Sequence, residues 1–407
     1  MNTRTQIRID KYIARPAAML MNYAVRLAGQ ILRPDHNLQQ DFKTIVVCKF
    51  KGMGSILQAT PLLKALRERF PQAEIVFVST ARNLSLLEQI PTINSVLTIN
   101  DQGLFSLLSS CAKTLFKLIK KRPGVYIDLE IYSDFSSLFA ALTLSRNRFG
   151  FYLRSSSFRM GIYTHMMYFN TRLPVSKVYL QFASAFGPVS DHHTLASFDH
   201  IAKATTLSNK PYIVINPNAS DLRLERRWPA SYFINLIQVL AIQYPEYNFL
   251  FIGSAAEKEY TTKVVDGCPA DRTINTAGNL SISALVDVIR GAKLMITNDT
   301  GPMHIAFCMQ TPVVCLFGPC SPDQYIFPEN AYPIYKPVYC SPCVHDFEIA
   351  PCRGNAICMQ WIQVEEVLQT VTLALQKQPT PLPATNTFWQ TTQGEAIGWV
   401  HRQAHKS

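Results

Sequence analysis

The sequence of 407 residues predicts an α/β protein with two Rossmann-like, parallel-sheet domains that face each other across a cleft. Two series of apolar strands alternate with amphipathic helices, and a polar, weakly patterned stretch at 196–210 separates the two series. Such alternation builds parallel sheets with helices on both faces. Hydrophobic residues make up 48% and charged residues 16%, which is typical of a globular chain with a core in each domain. We therefore expect domains at 41–195 and 211–375, a segment at 1–40, a linker at 196–210 and a loose tail at 376–407.

Individual elements follow from the hydrophobic pattern. In the first domain we expect strands at 44–48, 74–78 and 125–128 and helices at 56–70 and 135–144. In the second domain we expect strands at 212–216, 249–252, 294–297 and 313–317 and helices at 230–243 and 283–292. The carboxyl ends of both sheets would then line the cleft, where ligands of such folds bind.

Composition narrows the class of partner. A formal charge of +11 favours a polyanion such as a nucleotide, a phosphorylated glycolipid or an anionic membrane. No basic run with interleaved aromatic residues is present, so nucleic acid ranks last. The sequence shows neither a secretory signal nor an apolar stretch of roughly 20 residues that could span a bilayer. We expect a cytoplasmic protein whose ten cysteines are reduced, with the inner face of the membrane as a further location.

The segment before the first domain predicts an amphipathic helix at 12–33. Arg15, Asn22, Arg26 and Arg33 share one face, and Met19, Leu20, Ala24, Leu27 and Ile31 cover the other. A basic amphipathic helix suits an anionic membrane surface. The alternative is a helix that packs on the protein's own core, and the sequence leaves both interpretations open.

The strongest motif is the turn Asn298-Asp299-Thr300-Gly301, which joins a strand to a helix that contains His304. Asp299 or Thr300 could cap the helix, and Gly301 would let a ligand approach the backbone. Free N–H groups and the helix dipole favour a phosphate there, and His304 could donate to the same anion. An ordinary capped turn is the alternative.

Two neighbouring turns favour a nucleotide-diphosphate site. Gly253-Ser254 with Glu257 follows one strand, and a carboxylate there can bind ribose hydroxyls or simply offset the helix dipole. Asn216 to Ser220 follows another strand and leads to Arg226 and Arg227. Arginine suits a diphosphate and could stabilise a departing nucleotide diphosphate without metal. Solvated arginines are the alternative.

The first domain carries two motifs that would face the same cleft. Gly52-Met53-Gly54-Ser55 joins a strand to a helix, but Leu57 stands where a dinucleotide fingerprint has its third glycine. Gly52 and Gly54 would still allow close approach by a ligand. Asp128 and Glu130 follow another strand, with a structural role as the default.

Four cysteines are spaced in a way that could bind zinc: Cys340, Cys343, Cys352 and Cys358. The second pair is more widely spaced than in a zinc ribbon. Free thiols and an adventitious disulfide are the alternatives.

Taken in order, these motifs resemble glycosyltransferase family 9, the heptosyltransferase-like enzymes. The resemblance covers about 44–375, and its motifs are Gly52-Met53-Gly54, Ala59 to Leu63, Phe70-Pro71, Arg148 to Phe151, Arg226 to Pro229, Gly253-Ser254 with Glu257, Asp299 to His304, and Phe317 to Pro319. It implies a GT-B fold and inverting, metal-independent transfer of a sugar. The donor would be ADP-heptose or a similar nucleotide-diphosphate sugar, and the acceptor a lipopolysaccharide core or another lipid-linked or oligosaccharide glycan.

The resemblance also implies roles for individual residues. Asp299, Thr300, Gly301 and His304 would surround the donor diphosphate. Gly253 and Ser220 are further residues of the expected donor site. Glu257 would hold the ribose, and Arg226, with Arg227 as its competitor, would face the phosphates.

One position departs from the family pattern. Ser55 stands where the family usually places the Asp that acts as general base, and a serine without an activating partner cannot serve as one. Asp128 or Glu130 could replace it, the acceptor could supply its own base, or catalysis could be lost. A non-catalytic sugar-nucleotide or glycan-binding protein is therefore the alternative function.

Overall fold

In the computed structural model, the description covers residues 3–190, 194–202, 207–220, 223–344, 347 and 350–377. Most of the predicted tail at 376–407 lies outside these residues. The chain begins with one long helical segment, made of α1 (Thr3–Ile9), a π-helical turn (Asp10–Ala14) and α2 (Arg15–Leu32). We call this segment the N-terminal helix. It starts nine residues before the predicted start at 12. Pro16 lacks the N–H that a regular α-helix needs, which explains why the turn before it widens.

The first domain is a sheet of six parallel strands in the order β3-β2-β1-β4-β5-β6. Its strands are β1 (Thr44–Cys48), β2 (Glu74–Thr80), β3 (Ser95–Ile99), β4 (Val125–Asp128), β5 (Asn147–Tyr152) and β6 (His165–Tyr168). Its helices are α3 (Met53–Gln58), α4 (Thr60–Arg69), α5 (Leu84–Leu87), α6 (Leu104–Lys121), α7 (Asp134–Leu142) and α8 (Val175–Ser184). The single helix predicted at 56–70 is wrong in detail. It begins earlier and breaks at Ala59, two residues before Pro61.

The second domain repeats this topology, with the order β12-β11-β10-β7-β8-β9 and only parallel pairs. Its strands are β7 (Tyr212–Asn216), β8 (Asn248–Phe251), β9 (Thr273–Asn275), β10 (Leu294–Asn298), β11 (Val313–Phe317) and β12 (Ala331–Tyr335). Its helices are α9 (Ala230–Gln243), α10 (Lys258–Val265), α11 (Ile282–Gly291), α12 (Gly301–Met309), α13 (Ile357–Gln360) and α14 (Val364–Leu375). The predicted α/β fold of two parallel-sheet domains is confirmed.

Helices cover both faces of the first sheet. Ile45 and Val47 of β1 point into the core beneath α4 and α8, whereas Val46 and Cys48 point into the core beneath α6 and α7. The N-terminal helix packs on α7 and on the turn at 154–161, through Ala18 and the neighbouring Ile162. It therefore lies on the same side of the sheet as α6 and α7.

The N-terminal helix exposes most of its large apolar side chains, although Met21 and Val25 pack on the domain. Asn22 is buried, and its Oδ1 accepts from the Gly161 N–H at 2.7 Å. Tyr23, Leu27 and Ile31 are exposed. Of the two interpretations, packing on the protein's own core is confirmed for the face that carries Ala18, Met21, Asn22 and Val25. Within the described part of the chain, no helix is long and apolar enough to cross a membrane.

The predicted linker at 196–210 is partly anchored. Phe198 and Ile201 are buried, and Arg290 of α11 donates to both of their carbonyl oxygens, at 2.9 and 2.8 Å. Residues 198–201 thus pack against the second domain, while the Ala196 N–H donates to Thr60 Oγ1 of the first domain at 2.9 Å.

Candidate active site

The turn between β10 and α12 lies at the switch point of the second sheet, where β10 pairs with β7. Thr300 is the N-cap residue of α12 and has extended backbone (φ −148°, ψ 175°), but no side chain caps the helix. The expected cap by Asp299 or Thr300 is therefore wrong. The Thr300 hydroxyl instead accepts a hydrogen bond from Nδ2 of Asn216, the last residue of β7, at 2.7 Å. A helix N-terminus without a side-chain cap suits an anionic ligand.

Asparagine side chains hold the turns of this edge together. Oδ1 of Asn298 accepts from the Trp228 N–H at 3.1 Å, and its Nδ2 donates to the Asn218 carbonyl at 3.1 Å. Trp228 is fully buried, and its indole N–H donates to the Ile362 carbonyl. The segment that carries the two arginines is thereby fixed to the end of β10.

Arg226 reaches from this segment to Asp299. Its Nε lies 3.8 Å from Asp299 Oδ2, which is an ion pair but too long for a hydrogen bond, and the two side chains are 21% and 3% exposed. Among the described residues neither atom has a hydrogen-bond partner of good geometry, although Cys320 and Tyr325 line the same carboxylate. Buried polar atoms are nearly always hydrogen-bonded, so this pair fits a site that a polar ligand completes.

Arg227 points elsewhere. Its guanidinium carbon lies 3.8 Å from the centre of the Tyr260 ring, a cation–π contact on the first turn of α10. Of the two competing arginines, Arg226 is therefore the one that the structure brings to Asp299.

The remaining residues assigned to the donor site lie around the same edge. Glu257 Oε2 accepts from the N–H and the hydroxyl of Ser254, at 2.8 and 2.7 Å, so the two residues form a capping box at the start of the helix that follows Ser254. A Cβ on Gly253 would lie 2.8 Å from Asn218 Nδ2, so this glycine is needed for packing on Asn218. Ser220 is exposed at the rim.

Across the cleft, α12 touches α3 of the first domain. A Cβ on Gly54 would lie 2.3 Å from His304 Cδ2, and Gln58 Nε2 lies 3.1 Å from His304 Nδ1. Burial lowers the pKa of His304 to about 4, so the ring is neutral at pH 7. With Gln58 donating, Nδ1 accepts and the proton sits on Nε2. Gly54 thus makes room for His304, while Gly52 (φ +89°) adopts backbone that favours glycine.

Sequence comparison finds known relatives for this chain. Residues 163–352 match the family model "Glycosyltransferase family 9 (heptosyltransferase)". A lipooligosaccharide heptosyltransferase 2 of Haemophilus influenzae is 30% identical over 159 residues, which are 38% of this chain and 43% of that protein. The lipooligosaccharide heptosyltransferase 2 of Campylobacter jejuni is 22% identical over 329 residues, 78% of this chain and 95% of that protein.

Structure comparison agrees with the sequence relatives. ADP-heptose LPS heptosyltransferase II of Escherichia coli superposes with a TM-score of 0.67 at 21% identity, over 82% of this chain and 99% of that one. Residues 163–352 of the chain thus match glycosyltransferase family 9, and the chain as a whole is similar to heptosyltransferases. The fold that the resemblance implies, two facing domains of the GT-B type, is thereby confirmed.

Glu130 is a structural clamp. Its Oε2 pairs with Lys49 Nζ at 2.8 Å, and its Oε1 accepts from the N–H groups of Phe50 and Lys51 at 2.8 and 3.0 Å. Burial would raise the pKa of Glu130, but Lys49 and the backbone N–H groups lower it. Both oxygens hold the loop that leads into Gly52, which leaves Glu130 unsuited to take a proton from an acceptor.

Asp128 has no exposed surface. Its Oδ2 accepts from the Tyr163 hydroxyl at 2.6 Å and its Oδ1 from the Glu130 N–H at 2.9 Å. Burial raises the pKa of Asp128 to about 6. A general base must come within hydrogen-bond reach of the hydroxyl that it deprotonates. The placement of Asp128 and Glu130 therefore corrects the expectation that one of them replaces the missing base.

Ser55 lies half-buried on the first turn of α3, and its hydroxyl hydrogen-bonds the buried phenol of Tyr179. Burial raises the pKa of Tyr179, so the phenol stays protonated at pH 7 and cannot take a proton from Ser55. Ser55 therefore has no activating partner among these contacts.

The four cysteines of the proposed zinc cluster are unpaired thiols. The Cys343 N–H donates to the Pro319 carbonyl, and Cys358 packs beneath Gly318, so this segment folds against the end of β11. Over the described ranges, no three His, Cys, Asp or Glu side chains are placed to hold a metal ion. Structural zinc stays a prediction.

Sequence reasoning assigned no individual role to several residues that build the site, although Asn216, Asn218 and Asn298 stand in motifs that it identified. The residues without an individual role are Lys49, Gln58, Asn216, Asn218 and Asn298. All but Gln58 end a parallel strand or follow one within two residues, and that position was the available signal.

Proposed function

We propose that this chain is an inverting glycosyltransferase that moves heptose or a similar sugar from a nucleotide-diphosphate donor to a lipopolysaccharide or another surface glycan. The observation that carries the proposal is the Arg226–Asp299 pair beside the N-terminus of α12. The Haemophilus and Campylobacter relatives, which are named as lipooligosaccharide heptosyltransferases, support the choice of sugar and acceptor.

The reaction would place charge on the leaving group. The acceptor oxygen bonds to the anomeric carbon as the bond from that carbon to the diphosphate oxygen breaks, and the electron pair leaves with the nucleotide diphosphate. The guanidinium of Arg226 and the N-terminal dipole of α12 would stabilise that charge, which makes a metal unnecessary. Contact between α3 and α12 would exclude water that could hydrolyse the donor.

The proton of the acceptor hydroxyl needs a base that is not Asp128, Glu130 or Ser55. In this proposal the acceptor supplies it from an acidic group of its own. A membrane-anchored acceptor also fits the exposed apolar face of the N-terminal helix, whose exposed basic residues include Arg8 and Arg26. Peripheral binding to the inner face of an anionic membrane is therefore part of the proposal.

The test is transfer from ADP-heptose to truncated lipopolysaccharide, followed by release of ADP and by the mass of the product. We expect Arg226→Ala to lower kcat/KM by roughly 10²–10³, as loss of a charge-stabilising donor does, and Arg227→Ala to have a much smaller effect. Chelation of metals should leave the rate unchanged.

The alternative, a non-catalytic binding protein, is favoured by one observation, the serine at position 55. Tight binding of nucleotide sugars without turnover on any acceptor would support that alternative. Equal activity of the Arg226→Ala and Arg227→Ala variants would contradict the proposed leaving-group site.

A further inference from the structure

Helix α6 exposes a row of large apolar side chains that no part of the proposed reaction uses. Phe105 is 87% exposed and Phe116 65%, and Leu104, Leu108 and Ile119 are also exposed. The opposite face of α6 packs on the sheet through Cys111 and Leu118. Helix α6 thus has one apolar face in the core and a second apolar face exposed to solvent.

Exposed lysines lie beside the apolar row on the solvent side of α6. Lys113, Lys117 and Lys120 are exposed beside the apolar row, and the helix contains no Asp or Glu. Lys120 Nζ lies 5.5 Å above the ring of Phe116, so the apolar and basic parts are contiguous. Aromatic residues next to lysines are the composition that binds an anionic lipid surface.

The apolar row lies on the flank of α6 that points away from the edge of the sheet. Thr114 Oγ1 donates to the Thr98 carbonyl of β3, which turns that flank of α6 to the edge of the sheet. At about 100° per residue, Leu108 and Ile119 project from the other flank, towards α7 and the N-terminal helix. Gln6 Nε2 also donates to Asp101 Oδ2 at 3.0 Å, just before α6 begins. The two exposed apolar faces are therefore neighbours on one side of the first domain.

We propose that α6 is a second membrane-docking helix, which lies with the N-terminal helix in the headgroup region of an anionic bilayer. Charge complementarity and continuity with the apolar face of the N-terminal helix select a lipid surface as the occupant. Because α6 follows β3, its apolar start at Leu104 and Phe105 lies at the carboxyl edge of the sheet. A lipid-anchored acceptor would then enter the cleft from the membrane at that edge. The inference rests on the membrane part of the proposed function.

The experiment measures sedimentation of the full chain with phosphatidylcholine vesicles that contain or lack phosphatidylglycerol. We expect binding to the anionic vesicles, at least a tenfold loss with Phe105→Ser/Phe116→Ser, and at least a tenfold loss with Lys113→Glu/Lys117→Glu. The matched controls are Ile242→Ser, an exposed apolar residue of α9, and Lys263→Glu, an exposed lysine of α10. Both controls should bind as the unaltered chain does.

Three outcomes would overturn the inference. They are vesicle binding unaffected by the α6 changes, equal binding to neutral vesicles, and a dimer that Phe105→Ser/Phe116→Ser dissociates without lipid. Folding of each variant is checked by thermal unfolding, which exposed substitutions should not change. Transfer to a water-soluble acceptor is measured separately and should persist in the α6 variants. Vesicle binding without transfer in the unaltered chain would therefore count against the proposed enzyme and leave the docking helix standing.

Discussion

Replacement of Gly54 by alanine tests whether the contact between the two domains is part of the working enzyme. The new Cβ would lie 2.3 Å from Cδ2 and 2.6 Å from Nε2 of His304, distances that real Cβ atoms do not show. His304 is a ring held by Gln58 and buried between the domains, so it has little room to yield. Within α3 itself, alanine is a better helix former than glycine, so a loss of function would come from the contact and not from the helix.

The cost follows from overpacking. An added methyl group in a packed interior typically costs about 1–3 kcal/mol, which corresponds to a roughly 5- to 150-fold loss if the closed arrangement is the active one. We expect kcat/KM of Gly54→Ala for sugar transfer to fall within that range. Thermal unfolding of the variant should change little, because the domains can relieve the clash by separating.

The matched control is Gly29→Ala in α2, another helical glycine, whose Cβ would meet no atom within 4 Å and which should leave the transfer kinetics unchanged. A double-mutant cycle with His304→Ala should show that Gly54→Ala costs much less once the ring is gone. Transfer kinetics of Gly54→Ala within about twofold of the unaltered chain, or strict additivity in the cycle, would refute the reasoning.

Three further predictions concern the first domain. The pKa of Asp128 is about 6 in the fold against 3.8 for an ordinary aspartate, so about 3 kcal/mol of stability that is present below pH 4 is lost as the pH rises through 6. Asp128→Asn should remove this pH dependence of the free energy of unfolding, measured in urea, and should leave sugar transfer intact. A pH dependence that persists in the variant would contradict this prediction. Glu130→Gln leaves Lys49 buried without its counter-charge and should lower the free energy of unfolding by about 3–5 kcal/mol. The double variant Lys49→Met/Glu130→Gln should recover part of that loss. A loss below about 1 kcal/mol in Glu130→Gln would show that the clamp is unimportant for stability. Ser55→Ala should lower kcat by less than tenfold. Loss of a true general base lowers kcat by roughly 10²–10⁴, and a fall of that size in Ser55→Ala would show that Ser55 takes part in the proton transfer.

The sequence allowed the fold to be predicted well where apolar runs are short and bounded by turns. Strands such as Thr44–Cys48 and Val313–Phe317 are buried on both faces, so their residues are apolar without alternation. The edge strand His165–Tyr168 was not predicted, because it is half-exposed and its residues have no clear period. The break at Ala59 was also missed, since Pro61 can stand in the first turn of a new helix as well as end an old one.

The candidate site could be predicted only in part for a similar reason. Turns after strands are local in sequence, so the β10–α12 turn and the arginine segment were identified. The contact between Gln58 and His304 joins residues 246 apart and depends on how the domains meet, which no local pattern encodes. Periodicity showed that the N-terminal helix is amphipathic, but it could not tell which face the domain would take. The surface of the domain decided that, because the Gly161 N–H required an acceptor and Asn22 supplied it.

Asp10 makes the N-terminal helix part of the first domain, because its side chain caps the start of α7. Its carboxylate accepts from the first two N–H groups of α7, those of Asp134 and Phe135, at 3.0 and 2.8 Å, and from the Ser133 hydroxyl at 3.3 Å. Removal of this helix would therefore also remove hydrogen bonds that cap the start of α7. Protein engineers face the same coupling, because a truncation chosen to improve solubility would expose helix amides far from the cut. A single Asp10→Asn substitution separates the capping of α7 from the proposed membrane binding of the helix more cleanly than any deletion.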